Sequence, residues 1–438
     1  MLRMAEPSGD GSNVIESSGN VSGPSGDGTG SSGDVKGPDQ NKIISALAGA
    51  WKGISKVAAP LTKLSTYQAF LKQFGSELVI FPIIFAVLMW YFIFNFNKVN
   101  RTLARMIPLE EKIVGLTSLS RCPQVMAANK DFRLCDFWIA SSFKTYLVQG
   151  YREEVHVNII KQTLKLGCRF IDLDLYAETD KKGNVNIVIA NGDPFNKLIY
   201  SHRMSFDDTM KTLSESAFHP RLKNGDDPLF LNLNMDALRD DDEAQEKVAQ
   251  IIRNHFGAVL LDEKYNYQGR MTTPTNNVAI MPIKDLLIRK SCVIMTSTDV
   301  RDRPMDILVN LCSTTMANLA YKSYSDILGI SLDDIKRINK STITVTTPDY
   351  DGPSSGRRNY NWVQALAAGC QFICLNYNLG NGSEELRAYV DYFKTYSFIV
   401  KPYQMRYKPI RVEPPLEQNP NLSMTSRTIN TPDGAITI

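Results

Sequence analysis

"GCRFIDLDLY", residues 167–176, decides the fold. It is a short apolar run broken by two carboxylates, and the period-two geometry of a strand puts Asp172 and Asp174 on one face. Six further runs of this kind follow: "VNIVIA", "PLFLNLNM", "SCVIMTS", "STITVT", "CQFICLNY" and "SFIVKP". Between several of them lie stretches with helical periodicity, at 154–166, 206–217, 241–255 and 360–368. Such βα units, repeated from about 130 to 406, predict an α/β barrel or a doubly wound sheet.

Bulk composition narrows the rest. With 49 basic and 46 acidic residues the net charge is +3, too balanced for nucleic acid as the main partner. The seven cysteines are an odd number, scattered and without a C-x-x-C pair, which fits a reducing compartment and thiols used as small core residues. Four histidines with no H-E-x-x-H and no His/Cys cluster argue against zinc.

The chain begins with a Gly/Ser/Asp-rich tail, 1–41, whose composition predicts disorder. From 42 to 75, Ile44, Leu47, Trp51, Ile54 and Val57 recur at helical spacing among lysines, which predicts an amphipathic helix at a membrane surface, on a partner or on this chain. "LVIFPIIFAVLMWYFIF", 78–94, has no charged side chain, and with its flanks it reaches bilayer-spanning length, so 77–97 is expected to be a single transmembrane helix. The competing reading is a buried core helix, but Trp90 and Tyr91 stand near one end as interface anchors do. Lys98, Arg101, Arg105 and Lys112 follow the segment and only Lys63 and Lys72 precede it at similar distance, which favours a cytoplasmic C-terminal part.

In an α/β barrel the chemistry sits at the carboxyl ends of the strands. Inspected there, the sequence resembles the phosphoinositide-specific phospholipase C family across both halves of that family's barrel. "FWIASSFKTYL" is similar to its first catalytic loop, "GCRFIDLDLY" to its metal-loop strand and "DPLFLNLNMD" to the strand carrying the last metal ligand. "MPIKDLLIRKSCVIM", "NYNWVQALAAGCQFICLNYN" and "YSFIVKPYQMR" match its later stretches in order. The resemblance implies a TIM-like barrel with an X-like half at 115–297, a short connection at 298–322 and a Y-like half at 323–410, followed by a tail at 411–438. It also implies hydrolysis of inositol phospholipids by two histidines and a calcium ion.

Those groups are largely missing. The family writes Ser-Ser-His-Asn-Thr-Tyr where this chain has Ser141, Ser142, Phe143, Lys144, Thr145 and Tyr146. The first histidine therefore falls on Phe143, which has no proton to exchange, and the metal-ligand asparagine on Lys144, which repels a cation. The second histidine falls on Asn191, which cannot shuttle a proton near neutrality. Carboxylates remain at Asp172 and Asp174, but the last ligand falls on Asn234. The outcome is either a weakened calcium site or a Lys144 salt bridge to Asp172 and Asp174, and the charge count favours the salt bridge, with no cofactor. His202 is the speculative replacement acid. For the ligand phosphate and ring, the resemblance assigns Ser323, Arg337 and Asn339.

Three readings follow. The chain is a catalytically degenerate, membrane-anchored barrel that binds membrane lipid, phosphoinositide headgroups or a protein. Alternatively it is a phosphodiesterase with an altered, calcium-independent mechanism using Lys144 or His202. The third reading is a structural protein of a viral or other membrane assembly.

Overall fold

The computed structural model describes residues 80–93, 97–127, 131–149, 154–193, 198–266, 276–288, 290–313, 319–349, 358–409 and 426–437. The expectations for 1–41 and 42–75 lie outside these residues. The chain divides into two compact units, Met1–Val87 and Leu88–Ile438. Residues Ile80–Ile93 form a helix whose apolar side chains are exposed, Phe81 to 74% and Trp90 to 65%. Among the described residues no single helix is long and apolar enough to cross a membrane. Ile80–Ile93 and Lys98–Ile113 have that length and composition only as a pair, bent by 47°. The ends of the expected 77–97 span, at 77–79 and 94–96, lie outside the described residues.

The second unit is built on eight parallel strands whose order around the sheet follows the chain. They are β1 (Phe137–Ser142), β2 (Phe170–Thr179), β5 (Leu229–Asn234), β6 (Cys292–Thr296), β7 (Leu311–Cys312), β8 (Leu319–Ser323), β9 (Ile343–Thr347) and β10 (Phe372–Leu375). β10 pairs back to β1, with Ile139 opposite Phe372, so the sheet curls into a (β/α) barrel. Among the described residues no pairing joins β7 to β8. Two additions decorate the ring: an antiparallel hairpin of β3 (Val185–Asp193) and β4 (Leu198–Ser205) on the extension of β2, and β11 (Phe398–Val400) antiparallel to the start of β1.

Alternation along the strands explains both layers of the core. In β2, Ile171, Leu173 and Leu175 face outward onto the helices Val157–Lys165 and Phe206–Ala217, in one cluster with Ile160, Leu164, Phe206 and Met210. Phe170 faces the barrel axis and joins Phe137, Phe230, Phe372 and Phe398 in an interior aromatic layer, with ring centroids 4.7 Å apart for Phe170 and Phe372 and 4.9 Å for Phe230 and Phe372. Each such pair adds about 0.5–1.5 kcal/mol beyond its buried area. This layer fills the amino-terminal half of the barrel and forms the floor beneath the mouth.

At the amino end, just before Phe170, the Arg169 side chain is fully buried. It donates to the carbonyls of Ala217 (2.8 Å), Pro228 (3.2 Å) and Asp227, and lies over the Phe218 ring. The Asp227 carboxylate is buried beside it and accepts from the Leu119 amide. All seven cysteines are buried, and none is in a disulfide. On the barrel flank, Gly380 has φ +56, and a Cβ there would lie 2.5 Å from the Arg105 carbonyl oxygen. Only glycine lets the helix Lys98–Met106 pack this closely on the segment Tyr377–Gly382, and the Lys98 ammonium fixes the start of that helix 3.1 Å from Glu154.

The 298–322 segment carries β7 and the first four residues of β8. The described part of the 411–438 tail is an exposed antiparallel hairpin, Thr428–Thr431 with Gly434–Thr437.

Candidate functional site

Strand alternation continues above the aromatic floor with polar side chains. After Phe170 the axis-facing positions of β2 are Asp172 and Asp174; after Phe230 those of β5 are Asn232 and Asn234. The parallel register sets Asp172 against Asn232 and Asp174 against Asn234. Their side chains meet accordingly: the Asn232 amide donates to Asp172 Oδ1 at 2.8 Å, and the Asn234 amide to Asp174 Oδ1 at 3.3 Å. Tyr321 of β8 reaches in from the far side of the mouth and donates its hydroxyl to Asn232 Oδ1.

The loop after β1 closes over these groups. Lys144 has φ +40, a left-handed conformation uncommon for a non-glycine residue, which turns its backbone N–H onto Asp172 Oδ2 at 2.9 Å. Thr145 reinforces the turn, its hydroxyl accepting from the Asp172 amide at 2.9 Å. The Lys144 ammonium then lies 3.1 Å from Asp174 Oδ2 and donates to Asn191 Oδ1 at 2.6 Å. Tyr146, fully buried, donates to the same Asp174 oxygen at 2.8 Å. Phe143 is half-buried against the interior cluster.

Every oxygen of the two carboxylates therefore accepts from a protein donor. Burial, with the neighbouring Asp174 charge, pushes the Asp172 carboxyl up to about 7, although the Lys144 amide, the Asn232 amide and the Lys144 charge pull it down. Burial and the Asp174 charge likewise hold the Tyr146 hydroxyl well above its usual range, so it acts as a donor. An acid whose folded value exceeds its unfolded value stabilises the fold below the unfolded value, and that stability is lost as pH rises through the folded value. Asp172→Asn is therefore expected to gain stability relative to the unmodified protein between about pH 4 and pH 7, by up to about 1.4 kcal/mol per pH unit. Denaturation midpoints across that range check this; a difference that does not change with pH would refute it.

The donor set does not fit a calcium ion, which takes six to eight oxygens and tolerates no ammonium among them. Among the described residues no three His, Cys, Asp or Glu side chains gather where they would share a metal.

The structure brings Phe143, Lys144, Asp172, Asp174, Asn191 and Asn234 to one mouth. Ser323 ends β8 at that end of the barrel, but its hydroxyl accepts from the Asp326 amide at 3.2 Å and caps the helix Tyr324–Gly329. Arg337 and Asn339 are not brought to the mouth. They precede β9 and so lie at the barrel's amino end. Arg337 is exposed and pairs with Asp334, while Asn339 is buried, donating to the Ala368 carbonyl and accepting from Thr344 Oγ1. His202 lies on β4, one residue before the Arg203 that pairs with Ala190. Sequence reasoning passed over Tyr146, Asn232 and Tyr321; inward alternation in "LFLNLN" and "LAYKS" marks the last two.

Residues 131–281 match the family described as Phosphatidylinositol-specific phospholipase C, X domain. Among solved structures, PLC21 of L. pealei aligns with a TM-score of 0.50 at 21% identity, covering 66% of this chain and 40% of that one. PLC21 of S. officinalis aligns at 0.49 and 22% identity, covering 64% and 38%. A calcium-dependent phosphoinositol-specific phospholipase C from a Pseudomonas species aligns at 0.40 and 9%, covering 64% and 99%. This chain thus spans about two fifths of the length of the two PLC21 chains, and at these identities the likeness is one of fold. No curated protein matches the sequence.

Proposed function

We propose that this chain is a membrane-attached, phospholipase C-like barrel that does not hydrolyse inositol lipids and serves as a binding protein for a lipid headgroup, the membrane or a protein. One observation carries the reading. Lys144, Asn191 and Asp174 occupy the positions of a metal-ligand asparagine, a proton-transferring histidine and a metal-ligand carboxylate in the family it resembles, and here they hydrogen-bond to one another. With Phe143 at the other histidine position, the mouth lacks both groups that move the proton, and each typically supplies about 10²–10⁴ in rate. The match over 131–281 supports the phospholipase C-like part. The exposed apolar helix Ile80–Ile93, followed by Lys98, Arg101, Arg105 and Lys112, supports attachment through 77–97 with the barrel on the cytoplasmic side.

A second reading rests on Asp172. A carboxyl moved up to about 7 is suited to general-base work at neutral pH, and the altered-mechanism enzyme would use it. One assay separates the two. The full chain is incubated with phosphatidylinositol and its bisphosphate in vesicles, with calcium and with chelator, beside the Phe143→His, Lys144→Asn double variant and Asp172→Asn. No release of inositol phosphate by the unmodified chain is expected. Turnover that Asp172→Asn abolishes would overturn the binding-protein reading in favour of the enzyme.

A further inference from the structure

We infer that Lys144 is the barrel's resident counter-cation: its ammonium holds the place of a divalent ion, so the mouth is complete without metal and excludes calcium, and losing that one side chain turns the mouth into a cation site. This rests on the reading of the mouth as a phospholipase C-like site, and it goes beyond that reading by assigning the exclusion to one atom.

Two side-chain oxygens close on Lys144 Nζ, one from the acidic strand β2 and one from its neighbour β3. Asn191 directs its Oδ1 at the ammonium from 2.6 Å and Asp174 its Oδ2 from 3.1 Å, while Asp172, two residues before Asp174 on the same strand face, accepts from the backbone N–H of the same lysine. Asn232 and Asn234 stand beside the carboxylates with side-chain amides that can present oxygen instead of nitrogen on rotation. Without the lysine side chain, the Asp174 carboxylate and the Asn191 side-chain oxygen would lose their cation, with the Asp172 carboxylate and the Asn234 amide next along the strands. That donor set is oxygen-only, as hard divalent cations require. The backbone also permits the exchange. Lys144 sits at φ +40, a region where asparagine is enriched several-fold, so Lys144→Asn introduces no strain there and adds another amide oxygen.

The test uses the full chain in detergent micelles, with terbium as the probe for a calcium-type site and the nearby Tyr146 and Tyr321 rings as sensitisers. The unmodified protein is expected to show no saturable sensitised luminescence and no calcium-dependent shift of its melting temperature up to millimolar calcium. Lys144→Asn is expected to show both, with calcium displacing terbium, and Lys144→Asn, Asp174→Asn to lose both. Saturable binding by the unmodified protein that Asp174→Asn abolishes would overturn the inference. So would a folded Lys144→Asn variant that binds no cation at 10-fold higher concentration, on the order of 10 mM, where even weak calcium modules fill. Should that variant be unfolded without metal, calcium is expected to restore its native melt, and failure to do so also counts against the inference. Lipid hydrolysis in chelator would sink the binding-protein reading and leave this one standing, so the two fail separately.

Discussion

Arg169→Met is expected to destabilise the barrel by about 3–5 kcal/mol, because three buried carbonyls lose their charged donor, at about 1–3 kcal/mol for each group left unsatisfied, and the Asp227 carboxylate loses a nearby compensating charge. The substitution deletes three donors to the carbonyls of Ala217, Pro228 and Asp227 and leaves the Asp227 carboxylate buried with one amide partner. Burial already pushes Asp227 up to about 7 against the pull of Arg169, so removing the guanidinium raises it further. The sign of the pH effect follows: the loss should be greatest above neutrality, where Asp227 would have to ionise, and smaller near pH 5, where it stays protonated. Urea denaturation at both pH values, with Arg169→Met, Asp227→Asn as partial rescue, measures it. A loss below about 1 kcal/mol would mean that the guanidinium merely fills space, since total stabilities are only about 5–15 kcal/mol.

The second large effect is expected at the mouth. Lys144→Met keeps the stem and removes the charge, leaving Asp172 and Asp174 with neutral donors only. By the same argument the loss is about 3 kcal/mol at pH 8, because Lys144 and Asp174 are nearly as buried as Arg169. At pH 5 protonation of one carboxyl relieves the repulsion, and the loss should shrink by half or more. Equal losses at the two pH values would assign the effect to packing of the lysine stem and not to its charge.

What the sequence revealed about this molecule follows from which constraints are local. A helix over 206–217 is expected from periodicity and appears as Phe206–Ala217, because its apolar face repeats every turn and Ser205 caps it. The carboxylates on one face of β2 are legible for the same reason. The two-residue β7 offers no period to detect, and β8, "LAYKS", mixes polar and apolar side chains, so neither stands out from a connection in the sequence. Short-motif similarity draws Arg337 and Asn339 to the site because it does not reveal on which end of a strand a loop falls. Their segment precedes β9 and therefore lies beneath the aromatic floor. Arg169 gives no signal at all, since an arginine ahead of an apolar run resembles a solvated loop residue. Its burial depends on carbonyls supplied by Ala217, Asp227 and Pro228, about 50–60 positions away in the chain.

The seven thiols carry a consequence for how the protein meets oxidants and electrophiles. Burial pushes Cys135 up to about 12 and Cys168 to about 11 and raises Cys292, Cys370 and Cys374 as well, so these five offer almost no thiolate in the folded barrel. Even the least enclosed, Cys122, is only 8% exposed. Peroxide or a maleimide therefore finds little to attack at those five until a layer of the barrel opens. The sulfurs are distributed between the interior cluster and the shell where strands meet helices. Each thus times the opening of its own layer, and the chain records its breathing as a sequence of chemical marks.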